Sequence, residues 1–172
     1  MHNVDAIVCA EYSEFVSVES IKSAMQNAIE YLYPHNQVLN ISILITTNKN
    51  ITQLNTSFRG IKESTDVLSF SPKEMHMTAE EDNIFTEIEE DQLGDIVISY
   101  EEVESQSKAY HQSREEVLNF LLIHGLLHLS GYDHATVKER TEMQMQESTL
   151  LQHLNISNSI VSEMYEAHRL KG

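Results

Sequence analysis

Three histidines lie within eleven residues, in the segment H-G-L-L-H-L-S-G-Y-D-H from His124 to His134. His124 and His128 are four apart, so on a helix both imidazoles project from one face, about one turn from each other. Gly131 lets the chain reverse sharply. His134, three residues beyond it, can then return to the same point in space. Three neutral imidazoles with an open fourth position form the ligand set of a catalytic zinc site. One Zn2+ per chain is therefore expected, although nickel, copper and iron also accept imidazole.

Between Val117 and Leu129 the surrounding helix is apolar nearly all round, which predicts burial. Buried imidazoles without partners are costly, and a metal removes that cost. The pattern H-x-x-x-H-x-x-G-x-x-H matches the three-histidine arrangement of metzincin metalloproteases. Those enzymes place a glutamate general base directly after the first histidine, where this chain has Gly125. The metal scaffold is present without the protease base. A peptidase would need Glu63 or Asp66 to reach the site instead. A third reading is a non-catalytic assembly factor whose structural zinc is closed by a fourth ligand such as Asp133.

Several elements must position these residues. Residues 4–10 and 38–47 read as strands, the second with Leu39, Ile41, Ile43 and Ile45 on one face. Apolar residues at helical spacing mark helices over 18–33 and 48–58. Asp66–Phe70 and Leu93–Ser99 are further strands. No credible amphipathic helix separates them, so they are expected to pair antiparallel. Residues 72–92 read as a solvated acidic loop. From Ser99 onward the chain is helical: Ser99 and Ser113 cap two helices at capping-box spacing, and further helices fit 136–153 and 157–170. Met143 and Met145 are expected in the core. The expectation is one α/β (α+β) domain over residues 1–172, with a small mixed four-stranded sheet packed against five to six helices.

The 172 residues carry a net charge of −16, which argues against a general nucleic-acid binder. The charge is segregated: Lys49, Arg59, Lys62 and Lys73 fall within residues 48–73, and eight acids with no Lys or Arg fall within 74–91. Cys9 is the only cysteine, so an intrachain disulfide and a multi-thiolate zinc site are both excluded. Met1–Tyr12 lacks the cations of a secretory leader, and the longest apolar stretch is too short and polar to span a membrane. A soluble cytoplasmic protein is expected.

L-N-T-S-F-R (Leu54–Arg59), T-D-V-L-S-F (Thr65–Phe70), L-G-D-I-V-I-S (Leu93–Ser99) and the histidine segment occur in an order that resembles the YbeY family of bacterial rRNA maturation endoribonucleases. The chain departs from the family pattern at Phe58, at Glu63-Ser64 and in the acidic insertion before Leu93. The resemblance implies a single-metal endoribonuclease acting on single-stranded RNA. It also implies a role at the 3′ end of 16S rRNA and in ribosome quality control, with ribosomal RNA and the small ribosomal subunit as partners and no role for DNA or membrane. It carries a functional arginine onto Arg59. That residue is suggestive in its own right, because a guanidinium fork at the end of a helix can pair with phosphate and stabilise a pentavalent transition state. Asp133 could orient a ligand histidine or cap the following helix. Thr65 and Asp66 are expected to fix the start of their strand.

Overall fold

The computed structural model describes residues 1–35, 37–77 and 91–171. Strand β1 (Asn3–Val8) leads through a 3-10 turn into helix α1 (Val18–Leu32), which Ser17 caps by accepting a hydrogen bond from Ser20 N. Strand β2 (Asn40–Thr46) lies parallel to β1, with α1 as the crossover. Helix α2 (Asn48–Arg59) is followed by strand β3 (Val67–Phe70), helix α3 (Pro72–Met77) and strand β4 (Gln92–Ser99). Helices α4 (Tyr100–Tyr110), α5 (Arg114–Leu129), α6 (Val137–His153) and α7 (Ser159–Lys171) complete the chain. The sheet order is β1-β2-β4-β3. β4 runs parallel to β2 and antiparallel to β3, with Leu68 opposite Val97 and Ser69 opposite Ile96. The expected mixed sheet and antiparallel pair are present.

Alternation along the strands separates the two faces. Ile41, Ile43, Ile45, Ile96 and Ile98 join the main core with α1 and α5. Leu44, Val97, Leu68 and Phe70 point the other way, into a smaller cluster with Ile51, Leu54 and Phe58 of α2. The α5 surface is buried nearly all round, as its continuous apolar run requires. At Gly125 this helix lies tightly against the sheet. A Cβ there would stand 3.0 Å from Ile96 Cγ2 and 3.1 Å from Ser69 Oγ.

Three expectations change. Residues 72–77 form helix α3 instead of loop, so the described residues hold seven α-helices instead of five to six. The reason is a cap: Glu74 N donates to Ser71 Oγ (3.4 Å) and Ser71 N donates to Glu74 Oε2 (3.2 Å), with Pro72 at the first helical position. The rest of the expected acidic loop, residues 78–90, lies outside the described residues. Met143 is fully buried as expected, but Met145 is 64% exposed, because two residues further along α6 the side chain faces away from the core. Strand β1 ends at Val8, since Ala10 already begins the 3-10 turn. Among the described residues, no helix is long and apolar enough to cross a membrane.

Candidate metal centre

Helix α5 carries His124 and His128 one turn apart, and its start is fixed by a complete capping box between Ser113 and Glu116. Beyond the helix, Gly131 takes φ 96°, a backbone conformation that disfavours a side chain. The turn it makes brings His134 back over the helix end. One ring nitrogen from each of His124, His128 and His134 lies within 4.8 Å of the others, and the ring centroids are 4.7, 5.0 and 5.5 Å apart. The three sequence-predicted ligands therefore converge.

The donor chemistry of this cluster fits a cation. His124 Nδ1 lies 3.1 Å from Oε1 of Glu147 on α6, a residue with no exposed surface. Facing a carboxylate, Nδ1 is the protonated nitrogen, which leaves a lone pair on Nε2. That Nε2 lies 3.1 Å from Nε2 of His128. Burial pushes the His128 pKa down to about 4, helped by the neighbouring His124 and His134, while Asp133 and a backbone hydrogen bond at Tyr132 oppose the shift. His128 is thus a neutral imidazole at physiological pH. A neutral His128 beside the free Nε2 of His124, with the His134 ring close by, is a donor set that suits a single metal ion.

The histidines open onto a cleft of about 820 Å³. Its lining includes Arg59, Ser69, Phe120, Arg140 and Tyr165. Arg59 ends α2 and reaches across β3, where Nη2 donates to Ser69 O at 2.8 Å. Its guanidinium carbon lies 5.3 Å from the Phe70 ring centroid, and Glu74 Oε2 is 3.9 Å from Nη2. Among the described residues, Arg59 and Arg140 are the Arg or Lys residues that line the cleft, whereas Lys49, Lys62 and Lys73 do not.

Asp66 and Thr65 lie at the start of β3 and hydrogen-bond there. Asp66 Oδ1 accepts from Val67 N (2.8 Å), Asp66 Oδ2 accepts from Gln106 Nε2 (2.9 Å), and the Thr65 hydroxyl donates to Asp66 Oδ1 (3.4 Å). Asp133 does not cap α6, because Thr136 does so in a full capping box with Glu139. Asp133 is exposed, and its Oδ1 accepts from the backbone N–H of His134 (2.7 Å), not from an imidazole. It therefore braces the turn that presents His134.

Sequence reading missed Glu147 and Arg140. Glu147 had a signal: it falls four residues after Met143 and three before Leu150, on the buried stripe of α6, where a carboxylate needs a partner.

The sequence matches the family model described as Endoribonuclease YbeY over residues 8–155. A relative named Endoribonuclease YbeY from Exiguobacterium sp. is 38% identical over 144 residues, covering 84% of this chain and 90% of the relative. One of the same name from Clostridioides difficile is 36% identical over 140 residues, covering 81% and 87%. In fold, the chain is similar to the solution structure of TM1509 from Thermotoga maritima, with a TM-score of 0.57 and 20% identity over 98% of this chain and 95% of that one.

Proposed function

The chain belongs to the YbeY family of endoribonucleases, and from that premise we propose that it is a zinc-dependent endoribonuclease cutting single-stranded RNA. The observation that carries the proposal is the convergence of three imidazoles on a cleft that Arg59 also lines. His124, His128 and His134 would hold one zinc ion. When bound, zinc supplies a Lewis acid that withdraws charge from a phosphoryl oxygen.

The chain's own groups supply the rest. Arg59 binds phosphate by exchanging its bond to Ser69 O for a paired bond to two phosphate oxygens, and it meets the charge that develops there. The Phe70 face behind the guanidinium holds its plane in position. Arg140, also in the cleft lining, offers a second positive charge to the RNA backbone. Peptide hydrolysis lacks its base, since position 125 is a glycine whose missing side chain would point at Ile96 and Ser69. Asp66 is committed to Val67 and Gln106. The biological substrate proposed is the 3′ end of 16S rRNA on the small ribosomal subunit, in the cytoplasm, in maturation and quality control.

The test is metal analysis of a purified sample together with cleavage of end-labelled single-stranded and duplex RNA, with and without chelator. We expect about one zinc per chain. Cleavage should be confined to the single strand, lost on chelation and restored by zinc. A metal-free preparation that cuts equally fast, or a zinc-loaded one that leaves RNA intact, overturns the proposal.

A further inference from the structure

Three helices meet behind the metal centre. His124 comes from α5, Glu147 from α6 and Tyr165 from α7. Glu147 Oε1 receives both neighbours: His124 Nδ1 at 3.1 Å and the Tyr165 hydroxyl, which donates to it at 2.6 Å. The carboxylate is fully buried, and its other oxygen, Oε2, has no hydrogen-bond partner. Among the described residues, the ion-pair partner of Glu147 is His124. A buried carboxylate held this incompletely costs stability unless positive charge lies close by. The histidine it touches is the one that would pass the charge of a metal to it. Tyr165 is raised well above the usual tyrosine range by burial and by the Glu147 charge, so it remains a hydrogen-bond donor. Tyr165 also lies past residue 155, where the family match ends.

We propose that Tyr165 and Glu147 form a positioning relay for the metal centre, in which the Tyr165 hydroxyl pins the Glu147 carboxylate and the carboxylate holds His124 with Nδ1 protonated and Nε2 free to ligate. The relay rests on the reading that the three histidines hold a metal. Neither residue touches substrate. Glu147 fixes the tautomer and orientation of one ligand, and carboxylate partners of this kind typically strengthen metal binding. Tyr165 makes the docking of α7 part of the same network, so a helix outside the family match stabilises the ligand set.

The experiment measures zinc affinity, independently of RNA. Metal-stripped wild type, Glu147→Ala, Glu147→Gln, Tyr165→Phe and the Glu147→Ala/Tyr165→Phe double variant are titrated with Zn2+ against a competing chelator. Thermal melts serve as the folding control. Glu147→Ala should bind zinc roughly 10- to 100-fold more weakly. Glu147→Gln keeps an oxygen acceptor and should recover part of the loss. Tyr165→Phe should lose less than Glu147→Ala, and adding it to Glu147→Ala should cost nothing further, because it acts through the carboxylate. Nitrogen-15 histidine spectra of the zinc-loaded protein should show a protected His124 Nδ1–H in wild type that exchanges faster in Glu147→Ala. If Glu147→Ala fails to fold, Glu147→Gln and Tyr165→Phe carry the same comparison. Wild-type affinity in the Glu147 variants, or fully additive losses in the double variant, overturns the relay alone. A wild type that binds no zinc overturns the metal reading and the relay together.

Discussion

Removing the guanidinium of Arg59 should leave the histidine cluster intact. The three imidazoles come from α5 and the turn after it, whereas Arg59 comes from α2 and rests on Ser69 and Phe70. Arg59→Ala should therefore keep its zinc and its fold while RNA cleavage falls by roughly two to three orders of magnitude, the equivalent of ~3–4 kcal/mol of lost transition-state contact. Arg59→Lys should recover only part, since one ammonium cannot reproduce a planar fork. Cleavage by Arg59→Ala at the wild-type rate would make Arg59 a surface charge and shift attention to Arg140. His128→Ala should show the reverse separation: zinc is lost first, and activity goes with it. Metal content and cleavage measured on the same samples distinguish the two. The histidine cluster was legible from residue type and spacing because all three residues lie in one local segment. Arg140 was not, because a shared cleft leaves no short-range pattern, and Glu147 showed only its place on the buried stripe of α6, since its partner His124 lies on another helix.

Among the elements, α5 carries the most constraint. It must be apolar on nearly every face, present two histidines through its remaining opening, and approach the sheet within the width of a glycine. That last requirement bears on the peptidase reading. Gly125→Glu would restore the H-E-x-x-H pattern in sequence, yet its side chain would be driven into Ile96 and Ser69. Overpacking combined with a buried carboxylate should cost about 3 kcal/mol or more. The expected result is a lower melting temperature and no peptide hydrolysis. A stable variant that hydrolyses peptides under chelator control would show that glycine alone had withheld that activity. Sequence periodicity located the strands and long helices to within a few residues, because apolar alternation and capping serines act locally. The same capping logic reveals α3 at Ser71-Pro72-Lys73-Glu74. There, Pro72 reads as the end of a strand when it is equally the first residue of a helix. At Ser99 only half of the box forms: Glu102 N bonds Ser99 Oγ, while the Glu102 carboxylate is drawn to Asn48 Nδ2 (3.4 Å), a partner 54 residues away.

Taken whole, the molecule is an acidic protein proposed to bind a polyanion. With 27 Asp and Glu against 11 Lys and Arg, its net charge opposes a polyanion at a distance, so under the proposed function attraction would come from the cleft itself. Among the described residues, two arginines line that cleft. Two phosphate contacts to a single strand imply a log-log salt dependence of binding with a slope of about −1.4. Measuring the affinity of His128→Ala for a short single-stranded oligoribonucleotide across a salt series tests this without cleavage. A slope several-fold steeper would mean that a basic surface outside the cleft engages RNA. A shallow slope fits a protein whose specificity comes from being delivered to one strand segment, and an acidic exterior discourages binding to RNA at large.

The outward backbone groups of β3 have a consequence for self-association. Among the described residues β3 is the last strand of the sheet, paired with β4 alone, and such an edge is the kind of surface that recruits a strand from another molecule. Two of its groups are already taken from within the chain. Val67 N–H is held by the Asp66 carboxylate and Ser69 C=O by the Arg59 guanidinium. An approaching strand therefore finds one outward group at each of these positions already occupied, and aggregation through this edge is blunted. Arg59 thus guards the edge, and under the proposed function it would give up that guard when a phosphate claims its fork.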